Sequence, residues 1–217
     1  MPPEIDWPPV DGLLDHWSSW RPEWTDVRPR LLWYLTFEER PQLADQAARA
    51  QATLGECALD VVPTRWLHLT LADVGFADAV DPDAFGAMGA AVGEALAGRP
   101  ELHLSLGPIA LMTDSVVLVA RPVEAVNELR EVVREAGENL GLPLADRDEG
   151  FWPHVTLGYV NGATDHDRLL ALMDGPQSDP VDVTCDRLRQ VLVVRTGGYY
   201  RWHGMGDVRL GGSGTTG

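Results

Sequence analysis

The stretch FWPHVTLGYV, residues 151–160, combines an apolar run typical of a buried strand with a histidine and a threonine two positions apart. Side chains at i and i+2 of a strand share one face and stand about 7 Å apart along the chain. His154 and Thr156 are therefore predicted to point one way, while Val155 and Leu157 point the other. A single histidine on such a strand is more often a satisfied core or surface residue than part of a site, so the interpretation depends on whether the pattern recurs.

The same pair recurs earlier in the chain as His68 and Thr70, within RWLHLTLADV at residues 65–74. Each stretch is followed by a predicted helix and then by two predicted strands, so the layout repeats. We expect an internal duplication that brings the two histidine–threonine strands close together about a pseudo-twofold axis. The fold class that follows is α+β, with two lobes, mostly antiparallel sheets lining a central cleft, and helices on the outer sides.

The remaining elements follow from hydrophobic periodicity and from the proline and glycine residues that bound them. Strands are predicted at 30–37, 64–74, 101–111, 115–122, 151–160, 181–195 and 199–210, and helices at 40–54, 81–98, 122–142 and 165–173.

Three segments are predicted along the chain: a Trp- and Pro-rich N-terminal extension at 1–29, a single bilobal domain at 30–210, and a flexible tail at 211–217. Four of the eight tryptophans fall within the first thirty residues. We expect the extension to pack its aromatic side chains onto the body of the protein. A lid over a ligand site is the sharper interpretation of the same pattern.

Composition excludes several kinds of enzyme. All seventeen basic residues are arginines, and a lysyl-adenylate ligase, a Schiff-base enzyme and a P-loop NTPase each require a lysine. The net charge of −16 opposes an extended nucleic-acid surface, whose affinity comes mainly from basic side chains on phosphates. A small anionic ligand in a local pocket lined by arginine and histidine stays compatible with this charge.

The chain shows no pattern of membrane insertion or of disulfide formation. No apolar run approaches ~18 residues, and the acidic, proline-rich start lacks the features of a secretory signal. We therefore expect a cytoplasmic protein that does not enter a membrane. Cys57 and Cys185 are far apart in sequence and are expected to be free, partly buried thiols.

Two imidazoles and two hydroxyls that face each other suit a tetrahedral anion. Threonines can donate to its non-bridging oxygens, and a free histidine pKa of ~6.5 allows one ring to be neutral and the other protonated near neutral pH. The neutral ring accepts a proton and the charged ring donates one to the leaving oxygen. Phosphodiester cleavage then needs no metal, cofactor or lysine.

The two motifs resemble those of the 2H phosphoesterase superfamily, in particular its bacterial 2′-5′ RNA ligase-like branch. HLTL at 68–71 and HVTL at 154–157 match the H-x-[ST]-hydrophobic pattern of that family, the second with the usual preceding proline, Pro153. The likeness covers roughly residues 30–210. It implies a bilobal α+β fold and metal-independent action on 2′,3′-cyclic or 2′-5′ phosphodiesters.

The resemblance also directs attention to substrate-binding positions. Many relatives with RNA-like substrates carry an arginine where this chain has Tyr159, and tyrosine cannot clamp a phosphate bidentately. Arg65, Tyr34 and Trp152 are the other predicted substrate-binding residues. For all four the structural alternative stays open: a surface position for the arginine, and strand or core packing for the aromatic residues.

The other histidines are expected to be outside the site. HLSL at 103–106 also satisfies the motif, but it lies where the repeat has no counterpart, so His103 is expected to be an ordinary strand residue. His16, His166 and His203 fit no motif and are expected to be incidental.

The sequence thus predicts a metal-independent phosphoesterase that acts on an RNA end or a small nucleotide, with no cofactor. The oligomeric state does not follow from the sequence, and a monomer is the state we favour. His154 is assigned as general base and His68 as general acid, although the duplication makes the reverse equally workable. Thr70 and Thr156 would hold the phosphate oxygens. Three alternatives stay open: an ATP-independent 2′-5′ RNA ligase, a non-catalytic binder of cyclic or 2′-5′ nucleotides, and a partner-binding protein that uses the N-terminal extension.

Overall fold

Two antiparallel sheets carry the fold. The structure, a computed structural model, describes residues 10, 12–20, 23–144, 150–173 and 178–211. Its strands are β1 (Arg30–Thr36), β2 (Asp60–Val61), β3 (His68–Phe76), β4 (Leu102–Met112), β5 (Ser115–Arg121), β6 (His154–Tyr159), β7 (Val181–Cys185), β8 (Arg187–Arg195) and β9 (Tyr200–Arg209). Its helices are α1 (His16–Ser19), α2 (Pro41–Leu54), α3 (Pro82–Ala95), α4 (Val123–Asn139) and α5 (His166–Met173). Nearly all of the predicted tail and the first nine residues of the extension lie outside the described residues.

The two histidine–threonine motifs lie in different sheets. The sheet that contains His68, called here the His68 sheet, has the strand order β3-β1-β8-β9. The sheet that contains His154, called the His154 sheet, has the order β2-β6-β5-β4-β7. Every pairing within both sheets is antiparallel. The predicted α+β class and the antiparallel sheets are therefore confirmed.

The duplication has a different unit from the one predicted. The repeat is strand–helix–strand–helix–strand: β1-α2-β3-α3-β4 in the first half and β5-α4-β6-α5-β8 in the second. In each sheet the motif strand pairs with the first strand of its own half, and that strand pairs with the last strand of the other half. The two halves thus exchange their final strands, which makes the lobes inseparable.

The predicted single strand at 181–195 is wrong, because it is two strands in two sheets. β7 pairs with β4 in the His154 sheet, whereas β8 pairs with β1 and β9 in the His68 sheet. The chain crosses between the sheets at Asp186, where two consecutive half-buried residues interrupt the alternation of buried and exposed side chains. Arg40, just before α2, holds the end of β7 through its guanidinium, which donates to the Thr184 carbonyl at 2.7 Å.

The helices cover the outer faces of both sheets, as predicted. α3 and α4 pack on each other and on the His68 sheet, while α2 and α5 pack on the His154 sheet. Two polar contacts hold α3 against the His68 sheet. The Trp33 indole donates to the sulfur of Met88 at 3.3 Å, and the Gln190 amide donates to the Phe85 carbonyl at 2.6 Å. Proline begins α2 and α3, where its missing N–H costs nothing. In the described part of the chain, no helix has the length and apolar character needed to cross a membrane.

A β-bulge follows the threonine of each motif. On β3, Thr70 and Ala72 pair with consecutive residues of β1, so Leu71 is an extra residue. On β6, Thr156 and Gly158 pair with consecutive residues of β5, so the motif leucine is again the extra one. Each bulge shifts the alternation of side chains by one position, and the residues beyond it change faces relative to a regular strand.

A buried ion pair joins the first two strands of the His68 sheet. The Arg30 guanidinium donates two hydrogen bonds to Asp73 Oδ1, at 2.9 and 3.0 Å, and both side chains are largely buried. The guanidinium also lies over the rings of Phe76 and Trp24, at 4.2 and 5.5 Å from their centroids. Removal of either charge would leave the other one buried without compensation.

We expect Asp73→Ala to lower the free energy of unfolding by about 3–5 kcal/mol, because the Arg30 charge stays buried and loses its partner. Urea unfolding followed by tryptophan fluorescence measures this loss. Asp78→Ala is the matched control, since it removes a carboxylate from an exposed pair with Arg28. Equal losses in the two variants would contradict the role of the buried pair.

Candidate active site

The two motif histidines make the same hydrogen bond. Nδ1 of His68 lies 2.7 Å from the carbonyl oxygen of Trp66, and Nδ1 of His154 lies 2.6 Å from that of Trp152. A carbonyl oxygen can only accept, so Nδ1 carries the proton in both rings. Each Nε2 is therefore left to exchange a proton with another group.

This bond explains why both strands begin later than predicted. β3 begins at His68 and β6 at His154, whereas the sequence predicted strands from residues 64 and 151. The residues before each histidine leave the extended ladder, which lets the carbonyl two positions earlier face the ring. Before His68 this segment is a turn of 3-10 helix at Thr64–Trp66.

The fold brings the two motifs together, as the duplication predicted. β3 and β6 contact each other across the two sheets. The imidazole of His154 is close enough for its charge to lower the pKa of His68. Thr70 and Thr156 follow on the same strands, so the four predicted side chains line one place between the sheets.

Burial favours the neutral form of both imidazoles. It is the main cause that lowers the pKa of His68 to about 4, against the opposing effect of the Trp66 carbonyl. The pKa of His154 is lowered too, again mainly by burial. These lowered pKa values favour two neutral rings near neutral pH, whereas the sequence led us to expect one protonated ring. A bound anion would raise both pKa values.

A buried tyrosine accompanies each motif threonine. Tyr34 is hydrogen-bonded to Thr70, and Tyr159 is hydrogen-bonded to Thr156. The Tyr34 ring also stacks on His68, with centroids 4.0 Å apart and planes 13° apart. Burial raises the pKa of both phenols, so they stay neutral.

The bulge on β6 explains how Tyr159 reaches the site. Three positions separate it from Thr156, and strict alternation would put the two side chains on opposite faces. The extra residue in between restores them to the same side, where they hydrogen-bond. Tyr34 needs no such shift, because it pairs directly with Thr70 across the strands.

The N-terminal extension packs against the tyrosine side of the site. His16 is buried, its Nδ1 donates to Asp114 at 3.0 Å, and its Nε2 lies 2.8 Å from the Tyr200 hydroxyl. Its ring lies against Tyr159, with centroids 4.2 Å apart. The indole of Trp17 donates to Asp60 at 2.6 Å and contacts the same tyrosine.

His16, which the sequence led us to expect to be incidental, is thus a buried packing residue of the extension. Sequence reasoning missed it because its partners Asp114 and Tyr200 are distant in the chain and belong to no motif. The available signal was local: Asp15 precedes it as the N-cap of α1 and accepts from the backbone N–H of Trp17. A capped helix end so close to the N-terminus indicates a segment with a defined docking position.

The other two predicted substrate-binding residues, Arg65 and Trp152, lie in the segments that precede the two motif histidines. Arg65 is half-buried and lies over the ring of Trp66, 5.4 Å from its centroid. Trp152 is half-buried and contributes its backbone carbonyl to His154. His103 lies on β4, exposed, with Nδ1 2.9 Å from the Thr184 hydroxyl.

The comparisons with known proteins identify the family of this chain. A sequence model of the 2′-5′ RNA ligase superfamily matches residues 38–198. The chain belongs to that superfamily. The resemblance drawn from the two motifs is thereby confirmed at the level of the family. A comparison with curated proteins gives no match.

Solved structures of the superfamily share the fold at low sequence identity. E. coli LigT complexed with 3′-AMP is 19% identical, with a TM-score of 0.65 over 84% of this chain and 98% of LigT. TT0787 of Thermus thermophilus is also 19% identical, with a TM-score of 0.64 over 85% of this chain and 99% of its own. At such identities the likeness concerns the fold.

The lowered pKa of His68 makes stability depend on pH. Unfolded histidine titrates near 6.5 and folded His68 near 4, so between these values the unfolded chain binds the extra proton. Stability is therefore expected to fall as the pH drops from 6.5 towards 4, by roughly 3 kcal/mol from this residue. Above pH 6.5 its contribution is constant.

Urea unfolding of the natural chain and of His68→Gln at pH 7 and pH 4.5 measures this contribution. The natural chain should lose more stability between the two pH values than His68→Gln does, because only the natural chain has an imidazole buried in the neutral form. Identical losses would show that folded His68 titrates normally.

Proposed function

We propose that this protein is a metal-independent phosphoesterase that opens a 2′,3′-cyclic phosphate or cleaves a 2′-5′ phosphodiester by two-histidine acid–base catalysis. The observation that carries the proposal is the matched pair of imidazoles, each with Nδ1 tied to a backbone carbonyl and Nε2 available. Within the described residues, no three His, Cys, Asp or Glu side chains cluster as metal ligands. Proton transfer by the histidines supplies what a metal would otherwise provide.

The reaction proceeds by proton transfer at the two Nε2 atoms. The neutral imidazole accepts a proton from water, and the hydroxide oxygen forms a bond to phosphorus. The bond from phosphorus to the leaving ribose oxygen breaks, and the other imidazole, protonated once the anionic substrate is bound, donates its Nε2 proton to that oxygen. The Nδ1–H bonds persist through both protonation states, so neither ring has to reorient.

Burial supports the reverse of the roles assigned from the sequence. His68 is the more buried of the two rings and stacks on Tyr34, and its pKa of about 4 favours the neutral form that a base requires. His154 is half-buried, so solvent and substrate can protonate it more easily. We therefore propose His68 as general base and His154 as general acid.

Thr70 and Thr156 are proposed to hold the non-bridging phosphate oxygens. A hydroxyl that accepts a hydrogen bond from a tyrosine keeps its own proton free to donate. Tyr34 and Tyr159 are almost fully buried, at 1% and 5% exposed. We accordingly propose that they act as positioning residues, which orient the threonine hydroxyls from behind.

The proposed substrate is a nucleotide. E. coli LigT, which shares the fold, has been solved with 3′-AMP, with NADP+, with ATP and with phosphate. The net charge of −16 supports a small nucleotide or an RNA terminus over a long nucleic acid. Arg65 and Trp152 stay proposed substrate contacts outside the tetrad.

We expect His68→Ala and His154→Ala each to lower turnover of a 2′,3′-cyclic nucleotide by about 10²-fold or more, because each removes a positioned acid or base. Hydrolysis followed by phosphorus NMR measures the rate and identifies the product. His203→Ala is the control, since it removes an exposed histidine from β9.

Turnover in either variant that equals that of the natural chain would overturn the assignment. Binding of the cyclic nucleotide by the natural chain without any product would instead identify a nucleotide-binding protein that retains the tetrad.

The pH profiles of kcat and kcat/KM are expected to differ. The profile of kcat/KM reports the lowered pKa values of the free site, and that of kcat reports the complex. An anionic phosphate beside the rings raises their pKa values. Both limbs of the kcat profile should therefore lie at higher pH than those of kcat/KM, and steady-state kinetics from pH 4 to pH 9 would show this. Superimposable profiles would contradict a phosphate bound between the histidines.

A further inference from the structure

A cavity of about 670 Å³ lies on the His154 sheet outside the histidine–threonine tetrad. It is formed by β4, the end of β5, β7 and the first turn of α4. Its size is within the range of small-molecule sites. The lining residues are His103, Leu104, Ser105, Arg121, Pro122, Val123, Glu124, Asp182, Val183 and Thr184.

Strand register puts this cavity on the same sheet face as His154. On β5, Val119 pairs with His154, and Arg121 lies two residues further along the strand. Arg121 therefore shares that face, about 7 Å beyond Val119 along the strand. Ser105 pairs with Arg121, and Asp182 pairs with Ser105, so one row of side chains crosses the cavity floor.

The tetrad and this cavity lie along the same strand. At one end of the β5–β6 pair, Ser115 pairs with Tyr159, and there His16 and Trp17 of the extension contact the tyrosine. Arg121 lies at the opposite end of β5. A substrate longer than one nucleotide can therefore extend from the histidines along β5 in the direction of Arg121.

Arg121 has no carboxylate partner in the described part of the chain. Most arginines there do, for example Arg30 with Asp73 and Arg189 with Asp207. In a chain with a net charge of −16, a half-buried guanidinium that faces a cavity and pairs with no acid among the described residues is available to an anion.

Charged side chains of both signs line the cavity. Arg121 lies on β5, next to the strand of His154, whereas Asp182 lies on β7, two strands further across the sheet. Carboxylates accept hydrogen bonds from ribose hydroxyls and from base amino groups. Val123 is half-buried and offers apolar surface to a base. Phosphate on Arg121, followed by sugar and base towards Asp182, matches this order.

We propose that the cavity binds the nucleotide adjacent to the one at the histidines, with its phosphate on Arg121. This inference rests on the proposed function and narrows its substrate to a dinucleotide or an oligonucleotide end rather than a mononucleotide. The row from His154 to Arg121 to Asp182 forms the path of the chain.

Arg121→Gln tests the proposal with two substrates that share the same reacting group: adenosine 2′,3′-cyclic phosphate and the dinucleotide ApA ending in a 2′,3′-cyclic phosphate. The natural chain should prefer the dinucleotide. In Arg121→Gln the ratio of kcat/KM for the dinucleotide to kcat/KM for the mononucleotide should fall at least about tenfold, since a charge-assisted phosphate contact is lost. Arg201→Gln, which removes an exposed arginine from β9, should leave this ratio unchanged.

A ratio that is the same in the natural chain and in Arg121→Gln overturns the proposal, whatever the absolute rates. If the natural chain hydrolyses neither substrate, the proposed function has failed, and calorimetry with the same two ligands still decides the cavity. Tighter binding of the dinucleotide that is lost in Arg121→Gln supports the subsite, and equal binding of both ligands overturns it.

Discussion

The hydrogen bond from each imidazole to the backbone carbonyl two residues earlier is the constraint on which the site depends. It fixes the tautomer, because a carbonyl oxygen only accepts, and it leaves Nε2 of both rings unobstructed. It also requires the chain to leave the sheet just before each histidine, so β3 and β6 begin at the histidines themselves. The same local geometry in both halves makes two distant strands chemically equivalent.

Features of the site that depend on a single strand could be predicted from the sequence, whereas features that depend on strand pairing could not. Alternation was enough to pair His68 with Thr70 and His154 with Thr156, because i and i+2 share a face on any strand. Alternation does not predict the face of the residues beyond the bulges, because the extra residue of a bulge can be identified only when the partner strand is known. The split of residues 181–195 between two sheets likewise depends on which strands lie beside each part, and that pairing is long-range.

Charge is distributed so that a very acidic chain can still receive an anion. Arg30 and Arg189 are paired with carboxylates, and Arg195 is bound to backbone carbonyls. Burial lowers the pKa of His68 and of His154, which favours the neutral form of both rings near neutral pH. Under the proposed function, a bound phosphate would favour their positive charge.

The N-terminal extension makes the two ends of the cleft different. A duplicated fold would by itself leave both ends of the site alike, since each half offers one histidine, one threonine and one tyrosine. Docking of His16 against Asp114, Tyr200 and Tyr159 removes that symmetry by covering one end. The two histidines also face different surroundings, since His68 stacks on Tyr34 and is the more buried ring. Distinct acid and base roles can arise from this difference, although the motifs are nearly identical.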